Sequence, residues 1–280
     1  MLKNDLTIVI NTFNSDEKIY SCLNSINPDY KILVIENSNN FKFKEVLEKK
    51  YLNVICELTG ENLGYAKGNN LGLSKVKTKF AMILNPDTLV EKNSIDNFFY
   101  TALKYNDFAI IAPAIQEKKE IEKIKKQNNV FETDSVKGFA MFLNIEKFKE
   151  IGFFDENFFI YFEEIDLCRR LKKFNKKIYL DKSIKINHIG GSSHNQSIDF
   201  EMELSRNWHW MWSTVYYHKK HYGFFYALFK VSLKFFSAVL RVIFYSILFN
   251  QKKKKIYFQR LSGLFNSIIG KKSWYRPKVF

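Results

Sequence analysis

Short apolar runs alternate along the first part of the chain with longer polar stretches of helical period. Residues 6–12, 31–36, 52–56 and 80–84 are each rich in Ile, Val, Leu or Phe and are apolar nearly throughout. A strand with one wet face alternates apolar and polar side chains, whereas a uniformly apolar strand is covered on both faces. The pattern therefore predicts βαβ units that build a mainly parallel sheet flanked by helices. The runs end in small or polar residues: Asn11-Thr12, Glu36-Asn37-Ser38 and Asn85-Pro86-Asp87. Binding loops of such sheets lie at the carboxyl ends of the strands, so these ends are where chemistry is expected.

Further along, residues 117–129 are charged with little core character and predict a surface excursion, and residues 136–143 form another apolar run. An aromatic-rich segment over 153–173 passes into a helix whose apolar members Ile165, Leu167, Cys168 and Leu171 have helical spacing. Short strands at 178–180 and 183–187 lead to a turn at Gly190-Gly191. No internal repeat is present. After about Ser197 long helical patterns with large aromatics take over, which divides the chain into an α/β domain over 1–197 and a helical region over 198–280.

Residues 224–249 are nearly continuously apolar and long enough to cross a bilayer at about 1.5 Å per residue. Yet Lys230, Lys234 and Arg241 fall on one helical stripe, joined by Ser237. A helix lying in the membrane interface turns one such polar stripe to the headgroups and buries the rest. Four lysines at 252–255 follow, then apolar positions at Leu261, Leu264, Phe265 and Ile268. The expectation is peripheral attachment to an anionic membrane surface. Packing of these helices on the α/β domain, or on a second copy in a homodimer, is the competing reading, and a spanning helix is the third.

Composition narrows the classes. The 280 residues are 46% hydrophobic, 17% aromatic and 26% charged, which excludes disordered, collagen-like and disulfide-scaffold chains. Forty-four Lys and Arg against 29 Asp and Glu give a net charge of +15, pointing to an anionic partner such as nucleotide, nucleic acid or acidic lipid. The three cysteines, Cys22, Cys56 and Cys168, are far apart and form no CxxC, so neither a disulfide framework nor a zinc knuckle is expected. The opening residues run straight into a strand pattern and lack the apolar core of a signal peptide, which predicts a cytoplasmic chain at the inner face of the membrane.

Three constellations carry candidate chemistry. Asp87, after an apolar strand, is placed to hold a hard divalent cation whose other sites are filled by phosphate and water; taken alone, an Asp after proline is more often a turn former. His188 follows a strand and is either a second ligand to that cation or a structural histidine. Glu163, Glu164 and Asp166 crowd the start of a helix. Their charges complement the positive helix end, and beside Phe159, Tyr161 and Phe162 at least one is expected to have a raised pKa, suiting a general base. Gly64, Gly68 and Gly72, four apart, match neither a dinucleotide fingerprint nor a P-loop and instead allow a helix to approach a neighbour or ligand closely.

The order of these segments resembles family 2 glycosyltransferases of the GT-A fold, in particular the rhamnosyltransferase-like branch that builds bacterial surface polysaccharides. The resemblance is carried by INTFNS (10–15), LVIENSN (33–39), ENLGYAKGNNLGL (61–73), LNPDT (84–88), GFAMFL (138–143), IGFFDENFFIYFEEIDLCRRL (151–171) and NHIGGSS (187–193). It implies an inverting transferase that moves a sugar from a nucleotide-diphosphate donor to a saccharide or lipid-linked saccharide acceptor with Mg2+ or Mn2+. It further implies nucleotide contacts from Thr12, Asn14, Glu36 and Asn70, metal and diphosphate binding by Asp87 with His188, and Glu164 as the base, with Glu163 or Asp166 as rivals. Two departures stand out: Glu36 and Glu164 occupy positions where the family usually has Asp, each one methylene longer.

Two other classes fit less well. A sugar-nucleotide nucleotidyltransferase needs a Gly-rich basic loop after its first strand, where this chain has Asn11-Thr12-Phe13-Asn14-Ser15. A basic nucleic-acid-binding module has no use for Asp87, Glu164 and His188, and its lysines and aromatics would form a recognition motif that is absent here.

Overall fold

The computed structural model describes residues 2–16, 18–114, 127–188 and 194–278. The turn expected at Gly190-Gly191, and most of the charged excursion expected over 117–129, lie outside the described residues. Strands β1 (Leu6–Thr12), β2 (Lys31–Glu36), β3 (Val54–Leu58) and β4 (Phe80–Leu84) alternate with helices α1 (Ile19–Asn24), α2 (Phe41–Lys50) and α3 (Gly64–Ser74). Three of the four strands have the expected bounds. The third begins two residues late because a turn, Val54 N–H to Tyr51 O at 3.1 Å, carries Leu52 into solvent, where it is 97% exposed.

After β4 come β5 (Thr88–Val90), α4 (Ser94–Lys104), β6 (Phe108–Pro113), β7 (Val130–Glu132), β8 (Ala140–Asn144), α5 (Glu163–Lys173), β9 (Lys177–Asp181) and β10 (Ile186–His188). Eight strands form one mixed, mainly parallel sheet in the order β3-β2-β1-β4-β8-β6-β9-β7. β8 enters antiparallel to both β4 and β6, pairing Leu84 with Ala140. The apolar run at 136–143 is thus strand only from Ala140; its first part crosses the end of β4, where Phe139 O accepts Asn85 N–H at 2.9 Å. Phe80, Phe98, Phe99, Phe108 and Phe142 pack ring on ring at the centre of this core.

The glycine spacing in α3 is resolved in favour of a protein neighbour. A Cβ on Gly72 would stand 2.4 Å from Val9 Cγ1, and one on Gly68 2.6 Å from the Asn11 amide, so both glycines let α3 lie against β1.

The chain divides into two compact units, the first comprising Met1–Leu63, Lys67–Phe154 and Glu164–Asn195. The second comprises Gln196 onward together with Gly64–Ala66 and Asp155–Glu163. Its helices are α6 (Asp199–Tyr222), α7 (Phe224–Ile247) and α8 (Gln251–Ile268). The 155–163 segment is tied to α6: Asp155 accepts from Tyr216 Oη at 2.9 Å and Lys220 Nζ at 2.7 Å, Ile160 O accepts from Ser213 Oγ at 3.0 Å, and Phe159 stacks on His209. Burial acts to raise the Asp155 carboxyl, but the Lys220 ammonium and the Asn157 N–H outweigh it and hold the group below its ordinary range. Gly263 of α8 sits against α6 so closely that a Cβ would lie 2.2 Å from Trp208 O.

Among the described residues no helix is long and apolar enough to cross a membrane. The apolar side chains of α7 divide by size between its inner and outer faces. Its buried residues are small, Ala227, Val231 and Ala238, while Phe225, Phe229, Leu233, Phe236 and Leu240 are exposed. On the helical projection Lys230, Lys234 and Arg241 fall between these two faces, beside the buried one, and Lys234 and Arg241 line the same cavity as Ala238. Small side chains give the closer helix contact, which is why the large ones are left outside.

Gly263→Ala is expected to destabilise the chain by about 1–3 kcal/mol, because a backbone carbonyl cannot rotate away as a side chain can. Chemical denaturation of the two proteins measures it.

Candidate active site

Asp87 sits in the turn that leaves β4, closed by Thr88 N–H and Thr88 Oγ1 to Asn85 O at 3.2 and 2.7 Å. β5 then pairs antiparallel with β10, setting His188 opposite Thr88. This two-stranded pairing brings a histidine from a hundred residues downstream to Asp87: His188 Nε2 lies 3.4 Å from Asp87 Oδ1. Asp87 is buried and that Oδ1 accepts no hydrogen bond, while Asn85 Nδ2 stands 3.5 Å from the same imidazole nitrogen. Phe139 stacks flat on the His188 ring, centroids 4.7 Å apart and planes 5° from parallel, and so sets the ring's direction.

Phe139 closes a four-residue segment, 136–139, whose other end meets α5. Cys168 hydrogen-bonds the Val136 backbone, and Lys137 supplies the side-chain cation acting on Glu164. The Asp87–His188 pair and Glu164 thus flank one short stretch of chain. Burial pushes the Glu164 carboxyl up, opposed by the N–H groups of Glu164 and Ile165 at the helix start and by Lys137. Its Oε2 is buried without a hydrogen-bond partner.

The rival carboxylates are differently placed. Asp166, fully buried, receives Arg170 Nε at 2.8 Å, and the same guanidinium binds the carbonyls of Ile151, Gly152 and Phe153. That pair clamps the loop before α5. Glu163 is buried in the second unit. Just before it, Tyr161 and Phe162 both have positive φ, 72° and 71°, a conformation costly for bulky residues, with their rings held on Trp210.

At the ends of β1 and β2, Thr12 Oγ1 donates to Ile35 O at 3.2 Å. Glu36 accepts from Ser38 N at 2.9 Å, from Ser38 Oγ and from Asn40 N at 2.8 Å, so its extra methylene lets it cap the following turn while one carboxylate lone pair remains. Asn14, at φ 49°, has a buried Nδ2 with no acceptor. Asn70 is drawn into a reciprocal pair with the Phe154 backbone, at 2.9 and 3.0 Å, which gives its amide a structural task.

Several contributors carry no role in the sequence reading. Asn37 bridges Asn11, Thr12 O and Leu63 N–H, knitting the ends of β1 and β2 to the loop before α3. Asn85 and Phe139 orient His188. Asn85 is visible beside Asp87, but Phe139 reads as one more core aromatic. Among the described residues no three His, Cys, Asp or Glu side chains gather as a metal cluster, so protein donors at this site amount to the Asp87–His188 pair.

The profile of glycosyl transferase family 2 matches residues 7–170. The chain belongs to that family. The low-salt glycan biosynthesis hexosyltransferase Agl10 of Haloferax volcanii is 27% identical over 198 residues, 62% of this chain and 64% of that protein, so the match spans less than two thirds of it. The rhamnosyltransferase WbbL of Escherichia coli is 22% identical over 239 residues, 72% of this chain and 88% of that one. A mannosyltransferase, PcManGT from Pyrobaculum calidifontis, solved with GDP-Man and Mn2+, shares the fold with TM-score 0.58 at 10% identity, over 94% of this chain and 87% of that chain. The GT-A fold of family 2 is therefore present, and His188 lies beyond the matched residues.

The folded state binds the Glu164 proton more tightly than the unfolded chain does, so this residue costs stability as pH rises through its raised pKa. Glu164→Gln is expected to raise stability at pH 8 by about 1–3 kcal/mol, with the gain disappearing toward pH 4. Melting curves across that range check it.

Proposed function

We propose that the protein transfers a hexose from a nucleotide-diphosphate donor to a saccharide or lipid-linked saccharide acceptor, inverting the anomeric configuration. The observation that supports this most directly is the placement of two carboxylates, Asp87 and Glu164, each with one buried and unsatisfied oxygen, next to the two ends of residues 136–139. The donor set at Asp87 suits a divalent cation: an orphaned carboxylate oxygen beside an imidazole nitrogen fits Mg2+ or Mn2+, whose remaining positions phosphate oxygens and water fill. Such an ion, when bound, offsets the charge that builds on the departing diphosphate. The Mn2+ in the PcManGT structure favours the same reading.

The chain's own residues do the rest. The open amide of Asn14 and the remaining lone pair of Glu36 serve the nucleotide, with Thr12 shaping the strand end between them. Glu164, whose raised pKa brings it toward neutral pH, takes the proton of the acceptor hydroxyl as that oxygen attacks the anomeric carbon. The carbon–oxygen bond to the diphosphate breaks on the opposite face, so a single displacement inverts the centre. Asp166 belongs to the Arg170 clamp in this scheme, and Glu163 neighbours the base without replacing it. The exposed apolar stripe of α7 supports work at a membrane surface, where a lipid-linked acceptor would be met.

Nucleoside diphosphate with Mn2+ at about a hundred times its Kd is expected to stabilise the protein by about 2.7 kcal/mol, and Asp87→Ala to abolish the part that chelator removes. Glu164→Gln is expected to keep that stabilisation while turnover falls about 10²- to 10⁴-fold, as loss of a general base does. Thermal shift with a panel of nucleotide sugars, followed by NMR of the product's anomeric proton, tests both. Stabilisation indifferent to chelator, or near-normal turnover of Glu164→Gln, would remove the assigned roles.

A further inference from the structure

Between α6, α7 and α8 of the second unit lies a cavity of about 340 Å³, walled by Trp210, Lys234, Arg241, Tyr257 and Arg260 with Leu233 at its rim. Three cations converge on it. Arg241 and Arg260 both stand 5.1 Å from the Tyr257 ring, and Lys234 Nζ lies 6.0 Å from the Trp210 ring. Arg241 also donates to Tyr257 Oη at 3.2 Å, and Arg260 Nε to Asn207 Oδ1 at 2.6 Å, so the guanidinium groups are held in place by neutral partners. Among the described residues none of the three pairs with a carboxylate.

Gathering like charges around a partly enclosed space without a counter-charge is unfavourable, and half-buried Lys234 registers it: burial first, then Arg260 and Lys230, holds its pKa below the ordinary value. A bound anion would relieve the repulsion. Guanidinium forks suit phosphate, whose oxygens take parallel hydrogen bonds. The size is at the small end for ligand pockets, enough for a headgroup. What adjoins the cavity is equally specific. Leu233 at the rim is 82% exposed and belongs to the apolar stripe that continues through Phe229, Phe236 and Leu240. A hydrocarbon chain has a dry surface to follow from the phosphate outward.

We propose that this cavity binds the phosphate of an anionic lipid, with the headgroup among Lys234, Arg241 and Arg260 and the hydrocarbon along the exposed stripe of α7. This deepens the acceptor reading above, and rests on it only in taking the lipid for the acceptor's carrier. A soluble phosphate lacks any use for the stripe, and a second copy of the chain lacks a stated anion for the cavity.

The test uses the full chain and vesicles, with no donor and no turnover, so its outcome is independent of the roles of Asp87 and Glu164. Phosphatidylcholine vesicles doped with phosphatidic acid are compared with vesicles of equal surface charge made with phosphatidylglycerol. At least about tenfold tighter binding to phosphatidic acid is expected, since a phosphomonoester offers the cavity more charge and more acceptor oxygens. Lys234→Gln/Arg241→Gln should bind both vesicles alike, and Arg241→Gln alone, at an exposed position, should lose part of the preference without loss of folding, checked by melting temperature. Leu233→Ser should weaken binding to both vesicles. Equal binding by wild type and the double variant overturns the proposal. So does stabilisation by inorganic pyrophosphate to which vesicles add nothing, which assigns the cavity to a free anion. A sedimenting dimer that Leu233→Ser dissolves, with no vesicle binding, assigns the stripe to a second copy and overturns it too.

Discussion

A buried carboxylate oxygen left without a hydrogen-bond donor is costly, and the Asp87 turn keeps one in place by construction. The three-residue pairing of β5 with β10 delivers His188, the turn fixes the aspartate, and the Phe139 ring prevents the imidazole from turning to another partner. The same short segment that supplies Phe139 is bonded at its other end by Cys168 of α5. Movement of 136–139 would therefore disturb both the Asp87–His188 pair and the surroundings of Glu164. Polar side chains around it are committed to holding backbone: Asn37 ties strand ends, Asn70 ties the loop at Phe154, and Arg170 ties the loop at 151–153. Asp87 Oδ1 and Glu164 Oε2, by contrast, are buried without a hydrogen-bond partner.

Much of this was legible along the chain because it depends on local pattern. Uniformly apolar runs gave β1, β2 and β4 with their bounds, and the polar residues ending them mark the candidate site. Gly68 and Gly72 announced a close contact, although the pattern could not say with what. Pairing across distant positions is a different matter. That His188 stands beside Thr88, or that Phe139 leaves the core to stack on an imidazole, depends on strand register and on a crossing segment, neither of which leaves a periodic trace. The extra methylene of Glu36 looked like a departure from a binding role; its use in capping residues 38–40 is visible only once the turn is folded.

The helical unit teaches the reverse lesson. A stripe of cations on an apolar helix was legible, but the direction it faces was not, since that is decided by which side chains are small enough for contact. Ala227, Val231 and Ala238 take the inner face, the cations the border, and large apolar groups the outside. Exposed apolar area of this extent is unusual for a soluble surface and is tolerated where something covers it.

The second unit is not a contiguous piece of chain, because Asp155–Glu163 folds with it and the Tyr161 and Phe162 rings rest on Trp210. Modular exchange among relatives is constrained accordingly. A chimera joined at residue 196 would inherit foreign helices beneath its own strained dipeptide, and the backbone there would be free to relax into an ordinary conformation. Grafting the helices while preserving the aim of the adjoining carboxylates requires carrying the nine residues upstream of α5's second position as part of the same cassette.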